Sequence, residues 1–156
     1  MDNRHANENQ GGWDVQFVRT DGYVPGARYP VVTVITSKDE LDHYCDSNID
    51  KYDFSARPGL HKGAARGFCV AVEKYTDEFF TRRFLVLVLL EEGSGSVRHK
   101  LEMIERNGLI VISRLMPGIG TADMAEWHVI IELDISYKRE QFNVAIVNKD
   151  ASSQNH

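Results

Sequence analysis

Six histidines are spread along the 156-residue chain, and their spacing limits what they can do. His99 and His128 fall on or beside strand-like segments, and Asp123 and Glu126 lie in the loop just before His128. If those strands were neighbours, His99, His128 and Asp123 would form a His/His/carboxylate set of the kind that suits zinc. That is the alternative reading of the chain: a small-ligand or metal-dependent enzyme. No His-x-x-x-His pair stands anywhere, and His5 and His156 lie in terminal stretches. Metal sites usually show tighter spacing, so the plainer reading is that each is a strand histidine with one hydrogen-bonded nitrogen. No metal and no cofactor is expected.

Nucleophilic chemistry has less to stand on. There is no Gly-x-Ser-x-Gly elbow, and Cys45 and Cys69 lie in helix-like patterns that predict burial rather than thiolate activation. Two cysteines are too few for a disulfide framework, although one bridge is possible if the two helices pack together. Glu91 and Glu92 end a strand and point to opposite faces, so they do not share a substrate bond. Gly93-Ser94-Gly95-Ser96 could cradle a phosphate, but it lacks the Gly-Lys-Ser/Thr of a nucleotide loop and no helix follows it. It reads as a strand-to-strand turn. Gly118-Ile119-Gly120 does not lie between a strand and a crossover helix, as a dinucleotide fingerprint would.

The elements that would position these residues follow from periodicity and turn chemistry. Trp13 to Arg19 alternates as a half-buried strand, and Val31 to Thr36 is β-branched throughout. Ser37-Lys38-Asp39-Glu40 is a capping box. Leu41, Tyr44, Cys45, Asn48, Ile49 and Tyr52 then keep helical spacing, giving a helix of about 14 residues. Residues 56–67 read as a loop, and Phe68, Val72, Tyr75 and Phe79 suggest a second amphipathic helix ending near Phe80. Phe84 to Leu90 has no polar face, which predicts a central strand covered on both sides. With the glycine turn after it and Asn107-Gly108 further on, Phe84 to Leu115 reads as a three-stranded antiparallel meander. Met116 to Glu126 is a longer loop. Trp127 to Ile135 alternates with Val129, Ile131, Leu133 and Ile135 on one face, and Phe142 to Val147 is a last short strand.

Composition sets the outer bounds. Residues 1–12 and 149–156 read as disordered tails around one α+β domain over 13–148. A hydrophobic fraction of 42% and a charged fraction of 26% are ordinary for a globular protein. The net charge of −5 gives no basic field for nucleic acid or acidic lipid. Arg82-Arg83 and Arg98-His99-Lys100 fall at opposite ends of a strand about 20 Å long, so they are two patches rather than one. The solvent-facing aromatic stripe of an RNA-reading sheet is missing. No secretory signal or membrane-spanning run stands in the sequence, which points to a cytoplasmic chain with no nucleic-acid or membrane partner.

The order of helix, apolar strand Phe84 to Leu90, Gly93-Ser94-Gly95-Ser96-Val97, Asn107-Gly108 and Trp127-His128-Val129-Ile130-Ile131 resembles the PrcB-type domain. That domain belongs to a subunit that stabilises a bacterial protease complex. The resemblance covers roughly residues 75–134. The chain departs from the pattern where the family carries a Gly-Gly-aromatic turn and a proline before its last strand. The resemblance implies a β-rich fold and a role in protein association, and it carries over no catalytic residue.

Together these readings predict an antiparallel sheet of six or seven strands, curled into a sandwich or partial barrel, with two helices packed on it. The expected function is a non-enzymatic protein-binding or complex-assembly module. Its candidate loop carries Met116, Ile119, Asp123, Met124 and Glu126, since long loops between strands often hold function. The expected oligomeric state is a monomer or a homodimer through the terminal edge strand.

Overall fold

The computed structural model describes residues 12–22, 26–54 and 67–150. Strands β1 (Trp13–Arg19) and β2 (Val31–Ile35) come first, then helix α1 (Lys38–Asn48) and the four-residue helix α2 (Phe68–Ala71). After a 3-10 turn at Phe79–Thr81 come β3 (Arg83–Glu92), β4 (Arg98–Ile104), β5 (Leu109–Met116) and β6 (Ala125–Asp134). A second 3-10 turn, Ile135–Tyr137, leads into β7 (Asn143–Asp150). The fold is α+β, as expected, and its strands form two sheets that do not close into a barrel. One sheet runs β1-β6-β3-β2 and the other β4-β5-β7.

The side-chain period of two divides the core. On β3, Phe84, Val86, Val88 and Leu90 face the three-stranded sheet, where they meet Leu101, Ile104, Ile110 and Ile112. Leu85, Leu87 and Leu89 face the other way, against Leu41 of α1, Phe68 of α2 and the aromatic pair Tyr52 and Phe54. The central strand is therefore buried on both faces, as its unbroken apolar run requires.

The expected meander is corrected. β3 pairs with β2 and β6, and only β4 and β5 form a hairpin. Gly93 to Val97 carries the chain from one sheet to the other rather than back along β3. A central strand has both edges taken, so the next segment must leave the plane. The Asn107-Gly108 turn is where it was expected, with Gly108 at φ +94. β7 lies parallel to β5, the one parallel pairing among the described strands. It runs on through Lys149 and Asp150, past the expected end of the domain at residue 148.

Ser37 caps α1 as expected, accepting from the Glu40 amide at 3.1 Å, while Glu40 reaches back to the Thr36 amide at 2.6 Å. The helix stops at Asn48, short of the 14 residues that the spacing suggests. The second helix shrinks to Phe68–Ala71. Its expected anchors are still met, since Phe68, Val72 and Tyr75 are buried, but irregular backbone carries the later ones. A run with β-branched Val70 and Val72 and only Gly67 at its cap holds no long helix. Cys69 is exposed and Cys45 half-buried, and both thiols are free. The expected burial of Cys69 is thus wrong, because the short helix turns it outward. The tail over residues 1–12 and the loop over 56–67 lie almost wholly outside the described residues.

Candidate protein-binding loop and the ionisable groups beneath it

Two connections cross between the sheets at the same end of the molecule, and they are bound to each other. The first is residues 93–97, between β3 and β4. The second is residues 117–124, between β5 and β6. Ser94 Oγ shares hydrogen bonds with Ser96 Oγ at 2.7 Å and Thr121 Oγ1 at 2.9 Å, and the Thr121 amide donates to Ser96 Oγ at 3.2 Å. The Gly95 amide donates to Asp123 Oδ1 at 3.2 Å, and Arg19 Nη2 reaches Asp123 Oδ2 at 2.9 Å. Arg19 is itself held by Asp21, whose carboxylate also accepts from the Glu126 amide at 3.0 Å. The Thr121 hydroxyl, Arg19 and the Gly95 amide together hold the Asp123 carboxyl well below the usual carboxylate range.

This bracing fixes a loop whose apolar side chains point outward. Ile119 is 93% exposed and Met124 63% exposed, with Met116 also exposed at the end of β5. Beside Met124 lies a small cleft of about 170 Å³ flanked by Asp21, Glu91 and Glu126. Glu126 does not share the loop's exposure. It is buried, accepting from the Tyr29 hydroxyl at 2.5 Å and the Gly22 amide at 3.2 Å. Burial raises its pKa, the two donors oppose the rise, and Glu91 and Asp21 add to it. Trp127 points into the space between the sheets, packed against the core.

His99 and His128 do not come together. His128 lies on the helix-side face of β6, in a box formed by Tyr44, Tyr52, Phe54 and Phe68. Its Nδ1 is 2.7 Å from Thr20 Oγ1 and its Nε2 is 2.6 Å from the Tyr44 hydroxyl, so both ring nitrogens are taken. Burial alone pushes its pKa down to about 3. His99 lies on the other side of the four-stranded sheet, stacked on Phe17 and edge-on to Trp127. Its Nε2 meets Glu92 Oε2 at 2.6 Å, and Arg114 Nε meets Glu92 Oε1 at 2.7 Å. Burial pushes the Glu92 carboxyl up, but the bonds from His99 and Arg114 outweigh it and leave the group lowered. The three residues tie the end of β3 to β4 and β5. A sheet thus stands between the histidines, and no group of three His, Cys, Asp or Glu among the described residues could hold a metal ion.

Along the helix-side face of β6 stand Glu126, His128 and, beyond Ile130, Glu132, and each is met by a tyrosine hydroxyl. Tyr29 serves Glu126, Tyr44 serves His128, and Tyr75 donates to Glu132 at 2.8 Å. Lys74 adds an ion pair to Glu132 at 2.9 Å. This row was not found from sequence, where alternation with Val129, Ile131 and Leu133 marks only one face of the strand as apolar. Burial pushes the Cys45 thiol up to about 11, away from thiolate activation. No helix among the described residues is long and apolar enough to cross a membrane. No protein-family model, curated protein or solved structure matches the chain.

Proposed function

We propose that the chain is a non-enzymatic protein-binding module that docks through the 116–124 loop. The observation that carries this reading is the exposure of Ile119 and Met124 on a loop clamped by Asp123, Thr121 and the Ser94–Ser96 crossing. An apolar side chain on a slack loop loses conformational freedom on binding, whereas a braced one is already ordered. Ile119 would enter an apolar pocket of the partner, and a basic group of the partner would face the acidic cleft beside Met124. The placement of the two imidazoles favours this reading over the metal-dependent one: a sheet separates them, His99 Nε2 is held by Glu92, and both ring nitrogens of His128 are taken. The resemblance to the PrcB-type domain, with its role in protein association, points the same way.

The test is capture from a native lysate of the source cells by the immobilised chain, followed by affinity measurement with the recovered protein. Ile119→Ala with Met124→Ala should weaken that partner about tenfold or more, as for two exposed anchors of an interface. Recovery of no partner, or of one indifferent to both substitutions, overturns the proposal.

A further inference from the structure

A second surface lies away from the loop, where β2 ends the four-stranded sheet. Its inner side pairs with β3, and no described strand pairs with its outer edge. Beside that edge runs α1, and between them lies a cleft of about 530 Å³. Thr33, Val34 and Ile35 form one wall, with His43, Tyr44 and Ser47 of α1 opposite. The cleft is larger than the one beside Met124, and most of its surface is apolar. A strand edge with no partner among the described strands, next to a helix-lined groove, has the two things an added strand needs: main-chain groups to pair with and a place for alternate side chains.

Charge selects the occupant. α1 carries Asp39, Glu40, Asp42 and Asp46 against a single lysine, Lys38, which is already paired with Asp42 at 2.9 Å. Two copies joined edge to edge through β2 would set one acidic helix against another, which disfavours a homodimer there. We infer that the β2–α1 groove binds an extended basic segment of another protein, with apolar residues alternating between lysines or arginines. The segment pairs with β2 by its backbone and faces Asp39 and Asp46 with its basic groups. This inference is independent of the 116–124 loop.

The probe is a displayed library of random nine-residue peptides, selected on the full chain. Enriched sequences should carry Lys or Arg between apolar residues, and their amide shifts in NMR should concentrate at residues 33–35 and 39–48. Methylating alternate peptide nitrogens should abolish binding, because a strand partner must donate to β2. Asp39→Asn with Asp46→Asn should weaken binding about fivefold at low salt, while Ile119→Ala should leave it unchanged. Failure to enrich any sequence, enrichment of acidic ones, shifts elsewhere, or full affinity in the methylated peptide would overturn the inference.

Discussion

The backbone amide of Gly95 lies 3.2 Å from the carboxylate of Asp123, and there is no room between them for a side chain. A Cβ at Gly95 would stand 2.5 Å from Asp123 Oδ2 and 2.5 Å from Arg19 Nη1. The residue is a glycine because Arg19 of β1 and Asp123 of the second connection close over it. Gly120 faces Ser94 across the same junction, its would-be Cβ 3.0 Å from the hydroxyl.

Gly95→Ala therefore tests the clamp. The atoms in the way belong to side chains rather than backbone, so the fold should survive while Arg19 and Asp123 move apart. The expected cost is about 1 kcal/mol, that of a hydrogen bond with its ion pair loosened. Urea unfolding reads the stability, and amide exchange in residues 117–124 reads the loop. Unchanged exchange would show that the crossing does not hold it.

Asp123→Ala separates order from contact. Asp123 is not one of the docking side chains, yet it holds the loop that bears them. Cleavage of the loop by a nonspecific protease should speed up, and partner affinity should fall with Met116, Ile119 and Met124 all intact. Affinity equal to the parent chain would mean that the loop needs no bracing to bind.

The Glu92 cluster should behave as a unit. Glu92→Gln leaves Arg114 and His99 facing a neutral amide in a largely dry site, at an expected cost of about 2–3 kcal/mol. Replacing Glu92 and Arg114 together by methionine should cost less than the sum of the two single changes, because no charge is then stranded. Chemical denaturation of the four proteins of this cycle checks it, and simple additivity would show that the cluster is not coupled.

What the sequence reveals here is mostly what local chemistry decides. The β-branched and apolar run of β3, the serine cap of α1 and the Asn107-Gly108 turn each depend on a few neighbouring residues, and each is where it was expected. Gly93-Ser94-Gly95-Ser96 reads as a hairpin because glycine and serine suit a turn in either case. Whether the chain turns back or crosses to a second sheet depends on β2 and β6 having taken both edges of β3, which is a long-range fact. The loop from Met116 to Glu126 was legible from its length and glycines, and Ile119 and Met124 are exposed on it. Glu126 was grouped with them by proximity in sequence, but the period of β6 turns it inward toward Tyr29. The burial of Glu126, His128 and Glu132 was hidden for a related reason. Polar residues on alternate positions read as a solvent face unless the hydroxyls that satisfy them, on Tyr29, Tyr44 and Tyr75, are already known to be near.

His128 makes the acid side of the stability profile predictable. Its folded pKa is lowered by burial to about 3, against an ordinary value of 6.5, so between those values the unfolded chain binds the extra proton and the folded chain does not. Stability contributed by the neutral ring is thus complete above about pH 6.5 and lost progressively as pH falls toward 3. From pH 7 to pH 5 the loss should be about 2 kcal/mol. Glu92 adds its own loss only lower, since a lowered carboxylate pKa stabilises the fold above the ordinary carboxylate value and fails beneath it. Glu126 works against this slope, because its raised carboxyl takes up a proton in the folded chain first. It is therefore the comparison with a His128 variant that isolates the imidazole. Urea unfolding across that pH range should show the slope in the parent chain and its absence in His128→Gln, which keeps polar atoms for Thr20 and Tyr44 but cannot titrate. An equal slope in both proteins would assign the effect to another group.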